Sequence, residues 1–353
     1  MIRQTKVLVV GQGLAGSVLA VKLLQNNIPF LLINDPSGTT SSKVAGGIIN
    51  PIIFRHLTMS WRAKELWTTS SAFYSNFDKR KNTNTFNYTK IVRVFNESEQ
   101  QKWSAKIKSP LFNQFLKLED QVVLTHLPVE TPFGFGTVDP AAWLDTASFL
   151  DAANDDLKKN DCVINESLDH KQLIIEPNRV FYKNISAEFV VFCEGHHLKS
   201  NPWFGHVPLQ PVKGELLTIE ANLPDFRMII NGDVFILPLG NGRFKIGSTY
   251  DWNDETELPT EAARESLLQK LRKILKSEVQ VVDHQAGIRP AIADRKPVAG
   301  FHPVTKNLLV MNGLGSKGVM IAPFLADYVI KRILGENEID AEIDISRFNR
   351  FLT

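Results

Sequence analysis

The stretch Val7-Leu-Val-Val-Gly-Gln-Gly-Leu-Ala-Gly16 decides the fold. Its first four residues are a short apolar run, and residues 17–25 that follow are apolar at helical spacing. The order strand, tight turn, helix predicts a Rossmann-like α/β unit. In such a unit Gly11 permits the turn and Gly13 lets the backbone approach a pyrophosphate, while Gly16 lets helix and strand pack closely. With a second apolar run at residues 30–33, the motif predicts dinucleotide binding.

The position after the second predicted strand departs from the usual pattern. An acidic residue normally accepts the ribose hydroxyls there, whereas this chain has Asn34 followed by Asp35. Either side chain has an oxygen that can accept a hydrogen bond from a ribose hydroxyl. Alternatively, both residues only initiate the turn at residues 34–38, which suits their chemistry equally well.

Three further stretches are rich in small residues. They are residues 41–51, residues 189–195 and residues 311–323. Gly46 and Gly47 in the first of them let the backbone lie close to a flat ligand. A flavoprotein must wrap an isoalloxazine ring as well as a dinucleotide, so these loops indicate a flavin rather than a nicotinamide cofactor.

The last of these stretches predicts a turn followed by a helix. Gly313, Gly315 and Gly318 form the flexible turn, and residues 319–334 read as an apolar helix with Pro323 in or near its first turn. A helix N-terminus aimed at the flavin would stabilise the negative charge that develops on the ring when it is reduced.

Composition excludes several classes of protein. The 353 residues suffice for two domains, and the net charge of +2 gives no general attraction to nucleic acid. The basic clusters at residues 79–81 and 271–276 are typical of solvated surface. Cys162 and Cys193 lack the spacing of a disulfide framework or a metal site, which favours a reducing cytoplasm. No apolar run is long enough to span a bilayer, and the N-terminus is unlike a signal peptide.

Several motifs recur in an order that resembles one known family. They are Gly11-x-Gly-x-x-Gly16, Ala45-Gly-Gly47, Thr137-Val-Asp-Pro140, Pro211-Val-Lys-Gly214, Ile246-Gly-Ser-Thr249, Ala286-Gly-Ile-Arg-Pro290 with Asp294 and Pro297, and residues 313–323. Together they look like the D-amino-acid oxidase family, whose glycine and sarcosine oxidases bind FAD. Residues 286–290 and 315–318 look closest to the flavin domain of the bifunctional tRNA wobble-uridine modification enzyme. Asn34 and the pair Cys193-Glu194 depart from the family pattern.

The resemblance implies the cofactor FAD and a site on this chain. The residues predicted to bind FAD are Gly11, Gly13, Leu14, Ala15, Gly16, Asn34, Asp35, Ser41, Ser42, Ala45, Gly46, Gly47, Leu168, Cys193, Glu194, Gly195, Gly313, Gly315, Ser316, Lys317, Gly318 and Val319.

The resemblance also implies a discontinuous Rossmann-like FAD-binding domain with an inserted antiparallel β-sheet substrate domain. The FAD-binding domain is predicted at residues 1–85, 136–200 and 285–353, and the substrate domain at residues 86–135 and 201–284. Short apolar runs at residues 215–220, 234–238 and 243–247, separated by turn residues, predict strands in the second insert. Residues 260–276 predict an amphipathic helix there.

The chemistry implied by the resemblance is hydride transfer from the carbon next to an amine to flavin N5, followed by hydrolysis of the imine. Arg289 matches the arginine that pairs with the substrate carboxylate, which suits its planar fork, although an arginine that binds backbone carbonyls is the alternative. Lys317 would favour the anionic reduced flavin or hold an acidic substrate group, or its ammonium simply points to water. Tyr250 reaches into the site or packs half-buried.

Other polar residues are predicted to have structural roles. Arg55-His56 could face the ring or carry a covalent flavin, but a surface turn is favoured. The pair His196-His197 has no metal-ligand spacing and is predicted to be part of a loop. Asp139 is predicted to cap a helix that starts near Pro140.

Three functions are therefore compared. The first is an FAD-dependent oxidoreductase that acts on a small-molecule amine or amino acid. The second keeps this chemistry but acts on a carboxymethylaminomethyl uridine in tRNA, against which the near-neutral charge counts. The third is a flavin-binding subunit without turnover. The sequence leaves the electron acceptor and the oligomeric state open.

Overall fold

The computed structural model describes residues 2–38, 40–118, 124, 126–336 and 338–351. Its strands are β1 Arg3–Val10, β2 Phe30–Asn34, β3 Ile48–Ile49, β4 Ile52–Ile53, β5 Thr58–Met59, β6 Phe86–Val94, β7 Leu116–Lys117, β8 Phe135–Leu144, β9 Val163–Asn165, β10 Leu173–Glu176, β11 Arg179–Tyr182, β12 Ile185–Phe192, β13 Leu209–Glu220, β14 Ile229–Asn231, β15 Phe235–Gly240, β16 Arg243–Gly247, β17 Gln280–Ile292, β18 Val298–Phe301 and β19 Leu308–Asn312.

The helices connect and cover these strands. They are α1 Leu14–Gln25, α2 Ser41–Val44, α3 Ala63–Lys81, α4 Glu99–Lys106, α5 Thr146–Lys159, α6 Glu261–Ile274 and α7 Gly318–Ile333. Short 3-10 turns lie at Phe54–His56, His170–Gln172, Gly195–Ser200, Gly315–Lys317 and Ile345–Phe351. In the part of the chain that the structure describes, no helix has the length and apolarity to cross a membrane.

The first sheet has eight strands, five of which form a parallel core in the order β9-β2-β1-β12-β19. Valines and leucines of β1 and β2 are almost fully buried, because helices α1, α5 and α7 pack with them in one core cluster. Strands buried on both faces read as continuous apolar runs, which explains why this part was recognisable in the sequence. The predicted Rossmann-like α/β fold is confirmed.

The second sheet has nine strands in the order β17-β13-β16-β15-β14-β6-β8-β3, with β7 beside β8. All of its pairs are antiparallel except β14 with β6. The strands predicted in the second insert are present as β13, β15 and β16, and α6 covers one face of them after the predicted N-terminus at Thr260. The division into domains remains a prediction, and residues 136–144 and 285–292 lie in strands of this second sheet.

The prediction that Asp139 caps a helix is wrong. Asp139 and Pro140 lie inside β8, and the helix begins only at Thr146. The cap is Asp145, whose carboxylate accepts a hydrogen bond from the backbone N–H of Ser148 at 3.1 Å. Pro140 directly follows Asp139, and proline is common at the first position of a helix, which explains the wrong prediction.

Helix α7 accommodates Pro323 at the start of its second turn, one residue beyond the predicted first turn. A proline has no N–H, so the carbonyl of Val319, four residues earlier, lacks its helical partner. The buried hydroxyl of Tyr74 on α3 donates to that carbonyl at 3.0 Å. One tyrosine therefore satisfies the backbone group that the proline leaves open.

Replacing Tyr74 by phenylalanine should destabilise the protein by about 1–3 kcal/mol, because it leaves the buried Val319 carbonyl without a donor. The urea midpoint of unfolding is the measurement. Tyr88→Phe is the matched control, since Tyr88 is 64% exposed. This substitution should change the free energy of unfolding by no more than about 0.5 kcal/mol. Equal midpoints for the two variants would contradict the assignment.

Candidate functional site

A cavity of about 800 Å³ lies between the two sheets. On one side it is bounded by the residues at the carboxyl ends of β1, β2, β9, β12 and β19. On the other side lies the cavity face of the second sheet, which we define by Gly214, Leu216, Asn231 and Phe235. Ligands of open α/β sheets bind outside the carboxyl ends of the strands, and the volume is within the range of about 300–1,000 Å³ typical of ligand pockets.

This cavity brings together most of the residues singled out in the sequence. Those that line it are Gly11, Gly13, Leu14, Ala15, Asn34, Asp35, Ser41, Ser42, Ala45, Gly46, Gly47, Leu168, Cys193, Glu194, Gly195, Tyr250, Arg289, Gly315, Ser316, Lys317, Gly318 and Val319. Gly16 and Gly313 do not line it. Gly16 lies where α1 packs on the first turn, and Gly313, with φ +75°, lies beside Ile292.

The first turn leaves no room for side chains. A Cβ on Gly11 would lie 2.7 Å from the carbonyl oxygen of Cys193, and the φ of Gly11 is +94°. A Cβ on Gly16 would lie 1.8 Å from the carbonyl oxygen of Gly11. The first residue of α1, Leu14, donates its N–H to Ser42 Oγ at 2.9 Å. The N-cap residue, Gly13, has no side chain that could bind a further N–H of the first turn. The N-terminus of α1 therefore faces the cavity, in the manner of an anion site.

Asn34 and Asp35 line the cavity at the end of β2 but already have partners. Asn34 Oδ1 accepts from the backbone N–H of Gln12 at 3.1 Å. The Asp35 carboxylate accepts from the N–H and hydroxyl of Ser37 at 2.9 and 2.6 Å, and these bonds lower the pKa of Asp35. Both residues thus stabilise turns, in agreement with the interpretation that they initiate the turn at residues 34–38. A contact of either side chain with a ribose remains a prediction.

The loop at Gly46 and Gly47 lies flat against the second sheet. A Cβ on Gly46 would lie 2.9 Å from the ring of Phe235, and a Cβ on Gly47 would lie 1.9 Å from the carbonyl oxygen of Leu144. A Cβ on Gly287 would meet Ser41 at 3.0 Å. Gly47 therefore needs to be glycine because it meets the backbone of β8, whereas Gly46 lies against an aromatic ring and Gly287 lies close to Ser41.

Lys317 ends the turn that precedes α7 and lines the cavity. Its Nζ donates to the carbonyl oxygen of Asn50 at 2.6 Å, so the ammonium is held at the cavity wall instead of extending into bulk water. Burial lowers the pKa of Lys317 to about 8. The lysine is therefore a cation near neutral pH and loses its proton in mildly basic solution.

Arg289 points from β17 toward the cavity. Its Nη1 donates to the carbonyl oxygens of Thr249 at 3.2 Å and Lys213 at 3.4 Å. A Cβ on Gly214 would lie 2.0 Å from Nη2, so only glycine on β13 leaves space for this guanidinium. Among the described residues no carboxylate lies within ion-pair distance of Arg289. Burial lowers the pKa of Arg289, but an arginine remains charged at any physiological pH.

Tyr250 covers this arginine at the edge of the cavity. The guanidinium carbon lies 4.4 Å from the centre of the Tyr250 ring, which is a cation–π distance. Tyr250 is 59% exposed, so it is less buried than the packing alternative predicted. Its ring separates the guanidinium from part of the solvent.

Other residues of the cavity were missed or placed only in loops. His196 and His197 lie in a 3-10 turn and line the cavity, and burial lowers the pKa of His196 to about 4. Glu194 is held by His170 at 2.8 Å and by Asn201 at 2.7 Å. The hydrogen bond that His170 donates to the Glu194 carboxylate raises the pKa of His170. Glu194, which follows the buried strand β12, was predicted to bind FAD, but its partners His170 and Asn201 were not recognised in the sequence.

Most of the cavity face of the second sheet was also missed, because Leu216 and Phe235 read as ordinary strand residues and Asn231 lay between the predicted strands. Arg55 and His56 are exposed in the 3-10 turn Phe54–His56 and do not line the cavity. The favoured surface-turn interpretation of this pair is confirmed.

The family model described as FAD dependent oxidoreductase (DAO) matches residues 6–332. The chain belongs to this family. It is therefore an oxidoreductase with FAD as its cofactor. The glycines whose backbone lines the cavity, together with the N-terminus of α1 at the cavity wall, suit the binding of this long, flat dinucleotide.

Relatives of this oxidoreductase have two kinds of names. The chain is 23% identical over 376 residues to the tRNA 5-methylaminomethyl-2-thiouridine biosynthesis bifunctional protein MnmC of Idiomarina loihiensis, a match that covers 97% of this chain and 58% of that protein. It is 28% identical over 138 residues to glycine oxidase of Bacillus subtilis, which covers 37% of each. The chain thus spans less than two thirds of the length of the curated relatives it matches.

Solved structures share the fold of this oxidoreductase. L-proline dehydrogenase from P. horikoshii has a TM-score of 0.81 at 16% identity, covering 99% of both chains. Glycine oxidase from Bacillus cereus has a TM-score of 0.79 at 19% identity, covering 95% of this chain and 96% of that one. At such identities the likeness concerns the fold alone.

Replacing Gly11 by alanine should abolish retention of FAD, because the new Cβ would meet the Cys193 carbonyl at a positive φ. The ratio of flavin to protein absorbance after purification is the measurement. Gly38→Ala is the control, since Gly38 also lines the cavity but its Cβ would make only ordinary contacts at 3.6 Å. Stoichiometric FAD in the Gly11→Ala protein would refute the packing argument.

Lys317 should leave a signature in the pH dependence of stability of the protein freed of FAD. Between pH 8 and 10.5 the unfolded chain keeps the proton that the folded protein has lost, so unfolding free energy rises with pH in this window. The rise should be about 1–3 kcal/mol larger in the wild type than in Lys317→Met. Urea titrations across the window measure it, and identical pH slopes for both proteins would contradict a lowered lysine pKa.

Proposed function

We propose that this FAD-dependent oxidoreductase oxidises the C–N bond of an amino acid or an N-substituted glycine. The observation that carries the proposal is Arg289, a guanidinium on the cavity wall with no carboxylate partner among the described residues. A cation in such a place is stabilised when an anionic group of a ligand completes its hydrogen bonds.

The cofactor would extend across the cavity from the first turn to α7. Its pyrophosphate would lie at the N-terminus of α1, beside Gly11 and Gly13, which line the cavity. Its ring would lie against Gly46 and Gly47, between the cavity face of the second sheet and the N-terminus of α7. This placement is supported by Gly11, Gly13, Gly46 and Gly47, whose backbone lines the cavity.

The substrate carboxylate would pair with Arg289. Because Nη1 is occupied by the carbonyls of Thr249 and Lys213, the side of the guanidinium that carries Nη2 is left for a ligand. The guanidinium lies directly on Gly214, and the ring of Tyr250 lies 4.4 Å from the guanidinium carbon. A planar fork held in this way would fix both the position and the orientation of an α-carboxylate.

FAD, when bound, supplies the chemistry by accepting hydride from the carbon next to the amine, and the imine that results is hydrolysed by water. The residues of this chain bind and orient the substrate. Lys317, protonated below pH 8, would place a positive charge at the cavity wall, where it favours an anion. The N-terminus of α7 adds its dipole at the same place.

A second candidate is removal of a carboxymethyl group from a secondary amine in tRNA. It is favoured by one observation, namely that the match to the MnmC relative covers 97% of this chain, whereas the match to Bacillus subtilis glycine oxidase covers 37%. The net charge of +2 offers no general attraction for the tRNA phosphates. Both candidates share the carboxylate on Arg289 and differ in what is attached to the amine.

Replacing Arg289 by alanine should lower kcat/KM for every carboxylate-bearing substrate by about 100-fold or more, because a desolvated charge pair contributes about 2–5 kcal/mol. Arg289→Lys should recover part of the loss, since it keeps the charge but not the fork. Steady-state kinetics measure both, with the flavin content checked first. Arg55→Ala is the control, because Arg55 is exposed outside the cavity. Unchanged kinetics in Arg289→Ala would overturn the proposed role.

A further inference from the structure

The cavity face of the second sheet carries one polar side chain whose orientation is fixed by a buried charge. Five residues lie in register across β6, β14, β15, β16 and β13, and they are Arg93, Asn231, Phe235, Gly247 and Leu216. Three of them, Asn231, Phe235 and Leu216, line the cavity. Asn231 is the one with a hydrogen-bonding side chain.

The alternation of β14 directs the side chain of Asn231 toward the cavity side of the sheet. Ile229, two residues earlier, packs in the cluster with Ile91 and Leu237 on that side. Ile230 packs on the opposite side, in the cluster that contains residues of α6. Because successive strand residues point to opposite faces, Asn231 shares the face of Ile229.

Arg93 decides which end of the Asn231 amide faces the cavity. Its Nη1 donates to Asn231 Oδ1 at 2.7 Å and also to the carbonyl of Gly232. Its Nη2 donates to Glu99 at 2.7 Å, and its guanidinium carbon lies 5.2 Å from the centre of the Phe54 ring. The Arg93 side chain is only 12% exposed. An arginine has donors and no acceptor, so only the amide oxygen can face it.

The amide nitrogen of Asn231 is therefore left for a ligand. Among the described residues, none accepts a hydrogen bond from Nδ2, although the residue is half-buried and lines the cavity. A donor held in one orientation by a charged neighbour selects for a hydrogen-bond acceptor.

Asn231 lies far from Arg289. Their strands, β14 and β17, are four steps apart in the sheet, or about 19 Å between backbones at the usual strand spacing. Arg289 also lies four residues along β17 from Gln285, the residue level with Leu216. A molecule as small as glycine cannot contact both side chains, whereas an amine with a long substituent can.

We propose that the substrate is an N-substituted glycine whose N-substituent ends in a hydrogen-bond acceptor, and that Asn231 Nδ2 donates to this acceptor while Arg93 fixes the amide. This inference rests on the proposed function, in which Arg289 binds the carboxylate. It makes Asn231 a specificity-determining residue and Arg93 a positioning residue.

The test compares pairs of N-substituted glycines. In each pair one substituent ends in a dimethylamide, which accepts but cannot donate a hydrogen bond, and the other in a branched alkyl group of similar shape, with two to eight methylene groups before it. For the length that reaches Asn231, kcat/KM of the wild type should favour the amide by about tenfold, through a lower KM. Asn231→Asp keeps the pairing with Arg93 but turns the donor into an acceptor, so the preference should disappear or reverse.

Two further variants complete the experiment. Arg93→Lys keeps the charge but not the fork, and should reduce the preference for the amide while Asn231 is present. Asn184→Asp is the matched control, because Asn184 is exposed in the β11–β12 turn and outside the cavity, so the preference should stay as in the wild type.

The possible outcomes separate the two proposals. If both members of every pair are oxidised equally by the wild type, or if Asn231→Asp keeps the preference, the inference about Asn231 is overturned while the proposed function stands. If only amino acids are oxidised, the inference is overturned while the proposed function stands. If no amino acid and no N-substituted glycine is oxidised, with sarcosine included as the smallest, the proposed function fails and the inference fails with it.

Discussion

The close approach of Gly11 to the backbone of Cys193 is the constraint on which the site depends. It joins the ends of β1 and β12 at a distance that excludes any side chain, and the packing of Gly16 on Gly11 places α1 at the same point. As a result, one cavity is bordered by the N-terminus of α1, the ends of β1 and β12, and the segment before α7. Family membership makes the chain an FAD-dependent oxidoreductase, and we propose that FAD binds in this cavity.

The second sheet borders the proposed FAD site at positions where a glycine lies against a large side chain. Gly46 makes space for Phe235, and Gly214 makes space for the guanidinium of Arg289. Charged or polar groups around the cavity are held by backbone carbonyls or by buried neighbours, as Lys317 is by Asn50 and Asn231 is by Arg93. Such preorganised groups suit a reaction in which the protein positions the substrate and FAD carries the electrons.

The sequence predicted those parts whose chemistry is local. The first glycine motif, helix α7 and strands β13, β15 and β16 each have their signal within a few residues. Asp139 was misassigned because an aspartate before a proline, which is typical of a helix start, lies here within a strand. Asn231 and Phe235 were missed because their meaning depends on which strands pair, and no spacing along the chain shows that β14 lies beside β6. That none of the described carboxylates lies beside Arg289 is likewise visible only in the folded chain.

The most direct test of the account is an anaerobic titration of the FAD-loaded protein, in which the flavin absorbance is followed during addition of N-substituted glycines, amino acids and, separately, tRNA that lacks the final wobble modification. The account predicts bleaching by a carboxylate-bearing amine, and much weaker bleaching in Arg289→Ala. Bleaching by tRNA alone would move the function to the second candidate. Bleaching by amines without a carboxylate, equal in wild type and Arg289→Ala, would contradict the central role of this arginine.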